Sequence, residues 1–204
     1  MEFTLRPAQT LARAAVESSA QAVWILAATD YRSSIQRHAS LVIADWDEQR
    51  KASLDEAVRS ELRKRSGALQ EDLGFTDADV RAPSYLTLVR HAAAHAREQL
   101  PAALLRSDDA VERLWRASAG SAHGKQWPAS ELTVATSTGS TMPDPAAITA
   151  ILALADAVVS YGVMRFADRS GYASELSSIQ QDAFARVYSK IPLLPGAPQQ
   201  PPAP

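Results

Sequence analysis

Between Ala146 and Met164 the chain carries a single charged residue, Asp156. A stretch that apolar must either cross a bilayer, which takes about 20 residues, or be enclosed by other protein. Ile148, Ile151, Leu152, Val158, Val159 and Phe166 recur at helical spacing, while Thr149, Asp156 and Ser160 interrupt them. That is the pattern of a helix buried among other helices. The reading is a core helix rather than a membrane span, and the rest of the chain has to supply its cover.

The material for that cover is present. Of 204 residues, 46% are hydrophobic and 22% charged, enough for one sizeable core and short for two. A formal net charge of -2 gives no global attraction to nucleic acid or to an anionic membrane, so any contact with a polyanion must come from a local patch. The absence of cysteine excludes disulfides, thiolate zinc sites and thiol nucleophiles. The opening Met1-Glu2-Phe3-Thr4-Leu5-Arg6-Pro7 lacks the basic start and apolar core of a signal peptide, and the expected location is cytoplasmic.

Helical periodicity continues along most of the chain. A first helix is expected over about residues 8–28, with Pro7 in its first turn and Leu11, Ala15, Ser18, Ala22 and Ile25 as its inner face. Asp30 is placed to cap a second, and the period then runs to Leu73, as one helix or as two joined near Asp47, with Gly74 ending it. Arg59, Arg63, Lys64 and Arg65 make a basic run, but Glu56, Glu61, Glu71 and Asp72 lie nearby. A solvated, salt-bridged face is the better reading than a nucleic-acid patch.

After a polar linker from Thr76 to Pro83, a helix carrying Leu86, Val89, Ala93, Ala96 and Leu100 stops at Pro101. Another begins near Ser107, with Asp109 and Glu112 in a capping-box pattern, and carries Val111, Leu114 and Trp115 towards Gly124. The segment from Gly124 to Pro143 is rich in Ser, Thr, Gly and Pro, and its Leu132–Thr136 run reads as a short strand or an extended lid. Asp144-Pro145 starts the apolar helix, and Leu176, Ile179, Ala183, Phe184, Val187 and Tyr188 mark a last one. The expected architecture is an all-α bundle of about five or six helices forming one domain over residues 1–191, with a disordered Pro-rich tail over 192–204.

Two groups of residues bear on chemistry. His91, His95 and Glu98 share a helical face and resemble half of a metal site. Ala92 stands where a metalloprotease helix needs glutamate, and no third helix offers an obvious ligand, so a polar face is the preferred reading and no metal is expected. The second group is Arg116 and His123, separated by Ala117, Ser118, Ala119, Gly120, Ser121 and Ala122. Seven steps of about 100° return to within about 20° of the starting direction, so both side chains share a face if the helix persists. The small residues between them leave room for a second copy of the helix to approach.

At these residues the chain resembles the HEPN superfamily, whose ribonuclease members carry an arginine and a histidine a few residues apart. It is most similar to a bacterial branch with the pattern aromatic-Arg-x-x-Ser-Gly-x-Ala-His-Gly, matched by Trp115, Arg116, Gly120, Ala122, His123 and Gly124. The chain departs from it at Ala119, with Ser118 one place earlier. Ala117 also stands where active members carry a polar residue.

The resemblance implies a helical homodimer whose paired motifs meet in a cleft. Such proteins are often encoded in toxin–antitoxin or phage-defence systems, with a cognate antitoxin or regulatory protein as a further partner. It implies Arg116 and His123 as catalytic residues acting on RNA, with Ser118, Ser121 and Lys125 as substrate-binding neighbours and no cofactor.

The residue types suit that chemistry, because cleavage of RNA needs a group that takes or orients the 2′-hydroxyl proton and positive charge at the phosphate. The alternatives are a HEPN-like domain that binds or regulates without cleaving, and an arginine and histidine that merely cap a helix and offset its dipole.

Overall fold

In the computed structural model the described residues are 6–99, 107–128, 133–137 and 139–188. Among them the chain is an all-α structure with one small hairpin. The helices are α1 (Arg6–Leu26), α2 (Tyr31–Ala52), α3 (Glu56–Leu73), α4 (Tyr85–Gln99), α5 (Asp108–Ala122), α6 (Pro145–Ser170) and α7 (Ala173–Tyr188). Strands β1 (Thr133–Ala135) and β2 (Thr141–Pro143) pair antiparallel, with Val134 opposite Met142. The expected short strand is therefore one arm of a hairpin. The Pro-rich tail lies outside the described residues.

The chain divides into two compact units, residues 1–165 and 166–204. In the second, α6 ends at Gly171, whose φ of 78° suits glycine, and Tyr172 N–H bonds Ala167 C=O at 2.8 Å. The helix α7 follows.

The first unit is built around small side chains. Ala12, Val16, Ala20 and Val23 of α1 meet Leu88, Val89, Ala92, Ala93 and Ala96 of α4, with Val111 of α5 and Ile151, Leu154, Val158 and Tyr161 of α6 in the same cluster. Alanine on facing helices lets the backbones approach closely and fill the interior without long side chains. Gly162 shows the same closeness, since a Cβ there would lie 3.5 Å from Val23 Cγ2.

The inner face of α1 is not the one expected. Leu11 is 72% exposed and Ser18 and Ala22 are exposed, whereas Ala12, Val16, Ala20 and Val23 are buried. Both sets keep a helical period. The set chosen is the one whose small residues fit between α4 and α5, and Leu11 is left outside. On α6, Ile151 and Val158 are buried as expected, while Leu152 and Phe166 are exposed. The stretch Thr149–Ser170 has the length and apolarity to cross a membrane, yet 44% of its apolar window is buried inside the chain. Its inner residues are core residues of the first unit.

The run from Asp30 to Leu73 is two helices. Asp30 caps α2, accepting the Ser33 N–H at 2.8 Å, and the break falls at Ser53–Asp55 rather than near Asp47. Asp55 then caps α3 through Ala57 N–H at 2.8 Å, and Gly74 ends it with φ 64°. The basic run on α3 is salt-bridged as expected: Arg59 and Arg63 bond Glu56, and Arg65 bonds Glu61.

Candidate functional site

The geometry of Arg116 and His123 follows from how α5 begins and ends. Ser107 caps the helix, its hydroxyl accepting the Ala110 N–H at 3.2 Å, so Asp109 is not the cap and Glu112 is not the return arm of a capping box. Glu112 has a different task. It accepts Arg116 Nε at 2.5 Å and also bonds Arg90 of α4. The Arg116 bond, reinforced by the charges of Arg116 and Arg90, holds the Glu112 carboxyl below the usual carboxylate range against the opposing effect of desolvation. A second α4–α5 link joins Arg97 to Asp108 at 2.6 Å.

At the other end, Lys125 N–H reaches Gly120 C=O at 2.8 Å and Gly124 N–H reaches Ser121 C=O at 3.2 Å, with Gly124 at φ 69°. This is a Schellman closure, and glycine meets its left-handed position without steric cost. His123 sits just before it with φ −91° and ψ 11°, its N–H still bonded to Ala119 C=O. The histidine therefore continues the helical path one step beyond the helix. Arg116 and His123 share a face, separated along the axis by about 10.5 Å at about 1.5 Å per residue. Both are exposed, the Arg116 side chain to 56%, as is Lys125.

The two serines expected beside them are turned inwards. Ser118 is fully buried and donates to Leu114 C=O at 2.9 Å, and buried Ser121 donates to Gln9 of α1. Neither hydroxyl can reach a ligand on the Arg116 face. Their directions follow from helical geometry, about 200° and 140° from Arg116. Ala117, Gly120 and both serines are enclosed within the chain. Four of the six small residues read as room for a second copy, Ala117, Ser118, Gly120 and Ser121, are buried by this chain's own packing, while Ala119 is half-buried and Ala122 exposed.

Gly120 is enclosed in a particular way. A Cβ there would lie 2.7 Å from Pro128 Cγ and 3.3 Å from Trp127 Cε2 and Cζ2. The chain thus turns back after Gly124 and sets Trp127-Pro128 against the helix backbone where the side chain is missing. Pro128 is fully buried, whereas Trp127 remains 47% exposed. The clue in the sequence was a glycine one turn beyond Arg116, a position that a helix fills with Cβ unless something must come close.

The His91, His95 and Glu98 group lies elsewhere. The two imidazoles meet edge to face at 4.5 Å between centroids, and His95 stacks on Tyr161 of α6 at 6.2 Å. Among the described residues, His91 Nε2 is buried and meets no hydrogen-bond partner. Burial first, then the neighbouring His95 and Arg37, pushes the His91 pKa down from 6.5. Among the described residues no three His, Cys, Asp or Glu side chains are grouped to hold a metal ion. No protein-family profile matches the chain, and no curated protein or solved structure matches it.

Proposed function

We propose that the outer face of α5 is an RNA-binding and cleaving site of the HEPN type. The observation that carries the reading is that Arg116 and His123 share an exposed face while the polar side chains on the opposite side of the helix, Ser118 and Ser121, are buried.

In this reading Arg116 holds the phosphate and His123 takes the proton of the adjacent 2′-hydroxyl. The O2′–P bond forms, the P–O5′ bond breaks, and the departing 5′-oxygen receives a proton. The products are a cyclic phosphate and a free 5′-hydroxyl. Imidazole and guanidinium suit these tasks because one exchanges a proton near neutral pH and the other keeps its charge. A homodimer that pairs the two outer faces would double the arginines at one phosphate. Within the same reading, the cytoplasm is the expected compartment, and a cognate antitoxin or regulatory protein is the partner that would restrain it.

The pairing of Arg116 with Glu112 supports a second reading, in which the domain binds RNA or a partner's carboxylate without cleaving. A carboxylate already on Nε offsets part of the charge a phosphate would meet.

The deciding experiment is cleavage of a mixed RNA pool in EDTA by the wild type, Arg116→Ala and His123→Ala, with folding checked by circular dichroism. Cleavage lost in both folded variants supports the nuclease. A wild type that binds RNA but leaves it intact supports the binding reading, and a wild type that does neither rejects the RNA site.

A further inference from the structure

Of the chain's four tryptophans, Trp24, Trp46 and Trp115 are partly buried, and Trp127 is the exposed one. An indole is the largest apolar side chain a helix can cover, and leaving half of it in water forfeits much of the stabilisation its burial would bring. Trp127 is nevertheless held in a defined place. Its six-membered ring lies against Gly120, the following Pro128 is fully buried, and the Schellman closure at Gly124 fixes where the chain turns back.

Gly120 stands about 6 Å along the axis from Arg116 and about 4.5 Å from His123, and the three positions fall within about 60° of one another. The exposed indole is therefore mounted axially between the arginine and the histidine, against the one residue of that face with no side chain to displace it.

We propose that Trp127 is the base-stacking platform of the Arg116–His123 site, receiving a nucleobase of single-stranded RNA while a neighbouring phosphate lies on Arg116. This rests on the RNA reading above and adds the part that arginine and histidine alone do not supply. Guanidinium and imidazole recognise phosphate and hydroxyl, groups common to every ribonucleotide. An aromatic face binds the base itself and selects unpaired strands, whose bases are free to splay out, over duplex. The exposed cations Arg116 and Lys125 keep the strand's backbone close to the ring.

The test uses the full chain and a labelled single-stranded RNA made uncleavable by 2′-O-methyl groups, with an abasic version of the same strand as comparator. Trp127→Ala should weaken binding of the parent strand by about tenfold, the usual range for loss of one base–aromatic stack. Trp127→Phe should keep most of the affinity, and the wild type should bind the abasic strand about as weakly as Trp127→Ala binds the parent.

Gly120→Ala is the independent variant. It retains the indole but drives a Cβ into the Trp127-Pro128 turn, so it should weaken binding as Trp127→Ala does. If Trp127→Ala does not fold, Trp127→Phe and the abasic strand decide alone, and a wild type indifferent to the missing base overturns the assignment. Parent-strand affinity lost in Arg116→Ala but unchanged in Trp127→Ala also overturns it while sparing the RNA site, and leaves the indole to contact with a protein. Absence of any RNA binding by the wild type overturns both.

Discussion

The fold treats two pairs of basic side chains, each spaced by close to whole helical turns, in opposite ways. His91 and His95 lie on α4, the helix that also contributes Leu88, Val89, Ala92, Ala93 and Ala96 to the core. Their rings lie against each other, and one stacks on Tyr161. Arg116 lies on α5 and His123 just past its end, and both remain exposed, although Gly120 on the same side is covered by Trp127-Pro128. Spacing along a helix places groups on one face, but access to solvent decides whether that face can meet a ligand. A central helix spends its polar groups on packing. A peripheral one keeps a face to spare.

The largest expected effect breaks the α4 side of this contrast. Leu88 is almost fully buried in the core cluster, and Leu88→Ala should lower unfolding free energy by about 2–5 kcal/mol, read from denaturant midpoints. A loss well under 1 kcal/mol would mean that α4 is not the central helix described here.

On the α5 side, the proposed nuclease role predicts that Arg116→Ala and His123→Ala each reduce RNA cleavage by about a hundredfold or more with little change in melting temperature, because neither side chain is buried. Loss of the fold in either variant would place these residues among the structural ones and erase the contrast.

A smaller effect concerns pH. The folded-state pKa of His91 lies below its ordinary 6.5, so the folded chain binds this proton less readily than the unfolded chain. Stability should be fully present above about pH 6.5 and decline as pH falls from there towards the folded pKa. The carboxylates with lowered pKa, such as Glu112 and Asp79, act only below their own ordinary values of 4.5 and 3.8. Melting curves of His91→Leu should lose the decline that the wild type shows between pH 6.5 and 5, and a wild type flat over that interval would contradict the burial of His91.

The smallest change is expected at Glu112. Glu112→Gln should lower the melting temperature only slightly, since the amide keeps an accepting oxygen for Arg116 and Arg90 of α4 while losing the charge. It should shift RNA affinity a few-fold, upwards if the carboxylate competes with phosphate for Arg116 and downwards if it mainly orients the guanidinium.

Much of the fold was legible in local sequence because it depends on local chemistry. Asp30 caps its helix, Gly74 ends another, Asp144 accepts the Ala146 N–H at 2.9 Å, and each does so through contacts within a few residues. The apolar run after Pro145 had to form a helix with a buried face, and Val89, Ala93 and Ala96 had to be core residues on one side of α4. The likeness of the motif at Arg116 and His123 could also be read from the residues alone, as could their common face, because helical geometry fixes both.

Tertiary structure alone decided which of two equally periodic stripes on α1 turned inwards, because that depends on the shape of α4 and α5. It decided that Ser118 and Ser121 serve the interior, that Glu112 bonds two arginines instead of capping, and that Ala117 and Gly120 of α5 are covered by their own chain. It also brought Trp127 back over Gly120, across a turn whose course no periodicity describes. Local sequence sets the direction in which a side chain leaves its helix, and only the packed chain determines what stands there to meet it.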